Sequence, residues 1–105
     1  MNDCEYARLY LEKAKQISEQ LKNQESAIAK ITEILFDAWK NGKWVFIFGN
    51  GGSASTASHL VADLVKTVVK KPGEVGIKAI ALVDNIPLNS ALVNDWGWAS
   101  VYEEQ

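Results

Sequence analysis

The chain has 105 residues, enough for one modest domain, and its hydrophobic fraction of 48% and charged fraction of 23% are those of an ordinary soluble globular protein. The formal net charge is −2, and basic residues are interspersed with acidic ones, so the sequence gives no electrostatic support for binding nucleic acid. No apolar run approaches the roughly 20 residues of a membrane span, and the lone cysteine, Cys4, cannot form an internal disulfide, so we expect a cytoplasmic protein without a membrane partner.

Two helices are predicted at the start of the chain. Apolar residues recur there at steps of three and four, which places them on one helical face. In the first helix they are Tyr6, Tyr10, Ala14, Ile17 and Leu21, and in the second Ile28, Ile31, Leu35 and Ala38. A break near residues 23–25 separates the two helices, and Asn41 with Gly42 suits a left-handed cap after the second. We therefore expect residues 1–42 to form an N-terminal helical hairpin.

A βαβ unit is predicted in residues 43–105. Residues 44–48 are five consecutive large apolar side chains, a pattern typical of a strand buried on both faces of a parallel sheet. A helix is expected from Ser53 to about Lys70, ended by Pro72 and Gly73, and residues 77–83 resemble a second strand. The expected fold class is α/β, with a Rossmann-like or flavodoxin-like parallel sheet and flanking helices.

The end of the predicted unit is short for this class. Pro87 suits the first turn of a brief helix over residues 88–93, and no third strand follows. Sheets of this kind commonly have about five strands. We expect a sheet truncated after its second strand, completed by a further segment or by another chain.

The segment after the first strand predicts an anion site. It reads Gly49, Asn50, Gly51, Gly52, Ser53, and backbone N–H groups at a helix N-terminus attract negative charge. Ser53 can cap the helix and donate its hydroxyl. A plain turn with glycines for steric reasons is the alternative. No lysine follows as in a Walker loop, whereas a dinucleotide site stays open because Ala54 is tolerated at the last position of G-x-G-x-x-G.

Longer stretches resemble the SIS (sugar isomerase) domain family, and most closely its sedoheptulose 7-phosphate isomerases, also called phosphoheptose isomerases. The resemblance lies in residues 48–55 and 57–64, in residues 81–88, and in residues 93–95. It covers nearly the whole chain as one partial SIS domain, residues 1–105, equivalent to the N-terminal half. The resemblance implies an aldose–ketose isomerase that acts on a sugar phosphate through an enediol, and a homo-oligomer, often a tetramer.

The resemblance also implies the site residues. His59 and Asp63 match catalytic positions, although the family has Glu where this chain has Asp63, so the carboxylate reaches less far. The substrate- and phosphate-binding positions are Asn50, Gly51, Gly52, Ser53, Asp84, Asn94 and Asp95. Some members bind zinc through the residues that match His59 and Asp63, which lie on one helical face. The sequence itself requires no cofactor. Without the resemblance, the pattern around this pair favours a solvated helix face.

Two functions remain open at this stage. The family's second phosphate segment and its C-terminal catalytic histidine have no match in these residues, so we expect the 105-residue chain alone to be inactive and an isomerase to need both halves. A non-catalytic SIS protein, acting as a protein-binding scaffold or sugar-phosphate sensor, is the alternative. Trp96 and Trp98 flank Gly97 and either shape a sugar pocket or pack under the rest of the domain.

Overall fold

The structure is a computed structural model that describes residues 1–105. Two compact units divide it, Met1–Ile34 and Leu35–Gln105. The boundary between the units lies within the second predicted helix. The sequence pattern predicted it after that helix, at residue 42.

Helices make up nearly all of the first unit, and the second of its two α-helices runs on past Ile34. Helix α1 spans Asp3–Leu21, a single 3-10 turn follows at Lys22–Gln24, and α2 spans Glu25–Lys40. Asn2 caps α1 with a capping box: the Asn2 Oδ1 accepts from the Glu5 amide at 2.9 Å, and the Glu5 carboxylate accepts from the Asn2 amide at 3.0 Å.

The predicted hairpin is wrong because the chain contains no reversing residue between α1 and α2. Leu21, Lys22 and Glu25 all have right-handed helical backbone angles. Residues 22–24 include neither glycine nor proline, so nothing there imposes the left-handed or broken backbone that a tight reversal needs. The polar break in the pattern produces a tightened helical turn instead.

The apolar face of α1 is present as predicted but is not covered within its unit. Tyr6, Tyr10 and Ile17 are each about 60% exposed, and neither α1 nor α2 contains a buried residue. No helix in the chain has both the length and the apolar character needed to cross a bilayer.

The second unit is the predicted βαβ arrangement. Strand β1 spans Trp44–Ile47, helix α3 spans Gly52–Ala62, and strand β2 spans Lys78–Ala81. The strands pair in parallel, with Trp44 opposite Lys78 and Ile47 opposite Ala81. Helix α4, Ile86–Trp96, and a 3-10 turn at Trp98–Ser100 follow. The α/β class with a parallel sheet and flanking helices is confirmed.

The core of this unit lies on one face of the sheet. Ala79 and Ala81 of β2 are buried, as are Ala57 and Leu64 beyond the strands, and α3 packs against both strands. The opposite face is open: Trp44 is 54% exposed and Phe46 is 56% exposed. The prediction that residues 44–48 are buried on both faces is therefore wrong for this chain, because only one sheet face is covered.

Helix α3 ends earlier than predicted. The α-helix stops at Ala62, and Asp63–Thr67 winds as a π-helical turn in which the Val68 amide donates to the Asp63 carbonyl at 3.0 Å. The chain then returns close to this turn, where the Ile77 amide donates to the Leu64 carbonyl at 2.9 Å. The π-helical turn thus leads the chain back to the start of β2.

Candidate functional site

The loop between β1 and α3 folds back over the start of the helix. A Cβ on Gly49 would lie 2.7 Å from the Ser53 carbonyl oxygen, so only glycine allows this approach. Gly51 is the N-cap of α3, with φ 57° and ψ −124°, a backbone conformation that L side chains rarely adopt. Steric demands therefore explain both of these glycines.

Gly52, unlike Gly49 and Gly51, is not required by sterics, so it bears on whether the loop is a ligand site or a plain turn. It lies inside the first turn of α3, and a Cβ there would meet nothing within 4 Å. Neither its backbone nor its neighbours require glycine. The absence of a side chain leaves the backbone around it open to a ligand, which the alternative of a plain βα turn does not explain.

Three amides at this loop have no acceptor in the chain. The N–H groups of Asn50, Gly51 and Gly52 make no hydrogen bond, whereas the Ser53 amide donates to the Asn50 carbonyl at 3.0 Å. Unpaired donors at a helix N-terminus carry the positive end of the helix dipole. The prediction that Ser53 caps the helix is wrong, since Gly51 holds that position and the Ser53 hydroxyl is left free.

A cleft of about 560 Å³ opens beside the start of α3, within the usual size range of small-molecule sites. Its backbone floor comes from Gly49, Asn50 and Gly51 with Ala54 beyond them, and its polar side chains are those of Asn50, Asn89, Ser90, Asn94 and Tyr102. Its apolar wall is formed by Val83, Ile86, Val93, Trp98 and Val101. A cleft lined by both apolar and polar side chains suits a ligand that carries both kinds of surface.

Helix α4 contributes both polar and apolar side chains to this cleft. Asn85 caps the helix, its Oδ1 accepting from the Leu88 amide at 3.1 Å, and Pro87 lies in the first turn as predicted. Ser90 and Asn94 are four residues apart, so they lie on one face of α4, and both line the cleft.

The predicted binding residues divide into two groups. Asn50, Gly51 and Asn94 line the cleft, and Gly52 and Ser53 form the adjoining first turn of α3. Two other predicted residues lie outside the cleft lining. The Asp84 carboxylate accepts a hydrogen bond from the Ser58 hydroxyl of α3, and the Asp95 carboxylate accepts one from the Asn94 side chain at 3.0 Å.

The predicted catalytic pair lies further along α3. The Nδ1 atom of His59 is 3.2 Å from Oδ2 of Asp63, and the two side chains are 81% and 41% exposed. His59 follows Gly52 by seven positions, so at about 1.5 Å per residue the pair begins roughly 10 Å along the helix from the free amides. Neither residue lines the cleft.

The zinc prediction can be compared with the donors that this chain supplies. No group of three or more His, Cys, Asp or Glu side chains comes together in the chain. A zinc site needs three or four ligands, so His59 and Asp63 alone do not fit one. Zinc binding stays a prediction, and no step proposed below passes through a metal.

The cleft includes a residue that the sequence patterns missed, Tyr102, and one of the two tryptophans whose role they left open, Trp98. Tyr102 closes one side, with its hydroxyl 2.8 Å from the Gly49 carbonyl oxygen and 2.9 Å from the Asn50 Oδ1. Of the two tryptophans that flank Gly97, Trp98 lines the cleft and Trp96 does not. No local signal placed Tyr102 against a loop some 50 residues away in sequence.

A parallel βαβ unit with a glycine-rich loop at the start of a helix and an adjoining cleft of ligand size defines the class as α/β. The chain belongs to the SIS domain family, whose sequence pattern matches residues 9–105. The lincomycin biosynthesis protein LmbN of Streptomyces lincolnensis is 47% identical over 73 residues, which are 70% of this chain and 26% of that protein. The phosphoheptose isomerase of Geotalea daltonii is 42% identical over 78 residues, 74% of this chain and 40% of that protein.

A solved structure confirms the fold. A phosphoheptose isomerase from Francisella tularensis aligns with 100% of this chain at a TM-score of 0.90 and 24% identity, and the match takes in 55% of that protein. The chain thus spans about half, or less, of the length of the proteins that it matches. The resemblance to the SIS family inferred from the loop, the α3 segment and the residues after β2 is confirmed.

Because Gly52 has open space around its Cβ position, Gly52→Leu should fold but should place a side chain over the free amides. We expect this variant to lose binding of inorganic phosphate in isothermal titration calorimetry, with little change in melting temperature. Ser55→Leu, which adds the same side chain at an exposed position three residues further along α3, is the control and should bind as the wild type does. Equal phosphate affinity in both variants would show that the loop does not bind phosphate.

Proposed function

We propose that this chain is the phosphate-binding half of an SIS-domain isomerase that interconverts a ketose phosphate and an aldose phosphate, such as sedoheptulose 7-phosphate. One observation carries the proposal: three unpaired amides at the start of α3 open beside a cleft of ligand size, next to a glycine that sterics do not require. The isomerase names of relatives that match this same region favour an enzyme over the non-catalytic scaffold or sensor.

In the proposed complex the phosphate lies at the amides of Asn50, Gly51 and Gly52 with the Ser53 hydroxyl beside them. Backbone N–H groups suit this task because they supply donors and dipole without adding a mobile side chain. The sugar then extends along the cleft, where Ser90 and Asn94 offer polar groups to its hydroxyls and Trp98 offers an apolar wall.

The isomerisation itself needs proton transfer at two neighbouring carbons. A base removes the proton from one carbon while the neighbouring carbonyl oxygen gains a proton, which gives the enediol. A proton is then returned to the former carbonyl carbon while the other oxygen loses its proton, which forms the new carbonyl. His59 and Asp63 are the proposed groups. His59 lies roughly 10 Å along α3 from the free amides and Asp63 about one turn further, roughly 16 Å. Neither lines the cleft, so the reacting end of the sugar must extend beyond the cleft to meet them. Asp63 is one methylene shorter than the family's Glu, so its reach is the weakest part of the proposed site.

The exposed apolar surfaces of the chain indicate where further protein would complete the site. The open sheet face of Trp44 and Phe46 and the exposed apolar side chains of Tyr6, Tyr10 and Ile17 are surfaces that ordinarily become covered. We propose that the other half of the SIS fold covers the sheet, and that α1 contributes to a homo-oligomer. In this form the protein would act in the cytoplasm, where sugar phosphates are metabolised.

A chimera tests the catalytic assignment. When this chain replaces the matching part of the Geotalea daltonii phosphoheptose isomerase, we expect turnover of sedoheptulose 7-phosphate. Asp63→Asn in the chimera should lower kcat by a factor of about 10²–10⁴ and leave KM nearly unchanged, since it removes proton transfer and not ground-state binding. Asp37→Asn, the same change at an exposed position of α2, should leave both constants as they are. A folded chimera that binds phosphate but turns nothing over would favour the scaffold or sensor.

The two tryptophans that flank Gly97 allow a controlled test of where the sugar lies in the cleft. Trp96 and Trp98 are 66% and 69% exposed, but only Trp98 lines the cleft. We expect Trp98→Ala to weaken binding of sedoheptulose 7-phosphate several-fold and to leave the affinity for inorganic phosphate unchanged, as measured by calorimetry. Trp96→Ala should change neither affinity. Equal effects of the two substitutions would contradict the proposed direction of the sugar.

A further inference from the structure

The residue that holds the phosphate loop from outside is Tyr102. It lies in a run of turns after the last 3-10 helix, far from the loop in sequence. Its hydroxyl is 2.8 Å from the Gly49 carbonyl oxygen and 2.9 Å from the Asn50 Oδ1. Its ring lies against Phe48, with ring centroids 4.8 Å apart. Three consecutive residues leading into α3 are thus contacted by one side chain.

These contacts fall on the part of the loop that needs restraint. Glycine gains more conformational freedom than any other residue when it is not held, and the loop carries glycines at 49, 51 and 52. A loop that must become ordered as it binds loses affinity, because binding then bears the entropy of ordering. A contact that orders the loop beforehand removes this cost.

The hydroxyl also fixes the direction of one carbonyl. A phenol has one proton to donate, and both oxygens within its reach belong to the residues that precede the N-cap, Gly49 and Asn50. A Gly49 carbonyl that accepts from Tyr102 is not free to turn toward a bound anion, which its partial negative charge would repel. The hydroxyl therefore favours the loop conformation in which N–H groups, not carbonyl oxygens, face the ligand.

Packing alone does not explain the hydroxyl. The preceding residue, Val101, is 3% exposed and already anchors this segment in the core, and the Phe48 contact uses only the ring of Tyr102. A phenylalanine at position 102 would keep the ring contact with Phe48 and would leave the Val101 anchor unchanged. The Tyr102 hydroxyl has only two hydrogen-bond partners in the chain, the Gly49 carbonyl oxygen and the Asn50 Oδ1.

We propose that Tyr102 is a positioning residue for the phosphate site, whose hydroxyl pre-orders Gly49 and Asn50 so that the amides of the loop stay directed at the bound phosphate. This role rests on the proposed function of the loop. It predicts that the hydroxyl contributes to ligand affinity without touching the phosphate.

The test compares Tyr102→Phe with the wild type in the full chain. We expect Kd for inorganic phosphate to rise about two- to tenfold, the equivalent of one net hydrogen bond. Amide hydrogen exchange at Ser53 and Ala54, whose N–H groups donate to the Asn50 and Gly51 carbonyls at 3.0 Å, should become faster in the free protein. Tyr10→Phe, the same change at an exposed tyrosine on α1, is the control and should alter neither measurement.

A second variant, Asn50→Ala, keeps the test decisive if Tyr102→Phe folds poorly, since by itself it should raise Kd for phosphate and speed amide exchange at Ser53 and Ala54. Where both variants fold, the two are also compared. Asn50→Ala removes one of the two partners and leaves Tyr102 in place, and its effect on Kd should be less than additive with that of Tyr102→Phe, since both act on the same loop. Additive effects would overturn the proposal. So would a lower melting temperature with unchanged Kd and unchanged exchange, since that result assigns Tyr102 a purely structural role. A wild-type chain that binds no phosphate contradicts the proposed function itself, whatever the variants do.

Discussion

The close approach of Gly49 to the start of α3 is the constraint on which the rest of the site depends. The chain leaves β1 and must turn into a helix within four residues, and it does so by passing Gly49 over Ser53 at a distance that no side chain permits. This turn leaves the amides of Asn50, Gly51 and Gly52 without acceptors at the positive end of the helix dipole. The cleft, α4 and Tyr102 all take their positions around that exposed set of donors.

The one-sided sheet explains why the same chain has both a well-formed site and extensive exposed apolar surface. Alternate residues of a strand point to opposite faces, and α3 covers the face that carries Ala79 and Ala81. The other face, with Trp44 and Phe46, is left more than half exposed. The loop needs only β1, α3 and the segment after β2 to form, so its geometry does not depend on the uncovered face. Catalysis, as proposed, does depend on what covers it.

Local signals predicted the parts of the fold that local chemistry determines. The apolar run at residues 44–48, the glycines after it and Pro87 predicted β1, the turn into α3 and the first turn of α4, and the structure confirms these three features. The hairpin failed because polar residues at 22–24 weaken an amphipathic pattern without breaking a helix. Tyr102 and Ser58 could not be predicted, since their partners lie 53 and 26 residues away in sequence and such pairings arise only when the sheet brings the segments together.

The central claim is that phosphate binds at the unpaired amides, and ¹H–¹⁵N NMR titration of the chain with inorganic phosphate tests it most directly. The account predicts saturable shifts of the Asn50, Gly51 and Gly52 amide resonances, since these N–H groups gain an acceptor while the rest of α3 keeps its hydrogen bonds. Shifts confined instead to the lysines after α3, Lys66, Lys70 and Lys71, would show non-specific attraction of the anion to surface charge and would contradict the account.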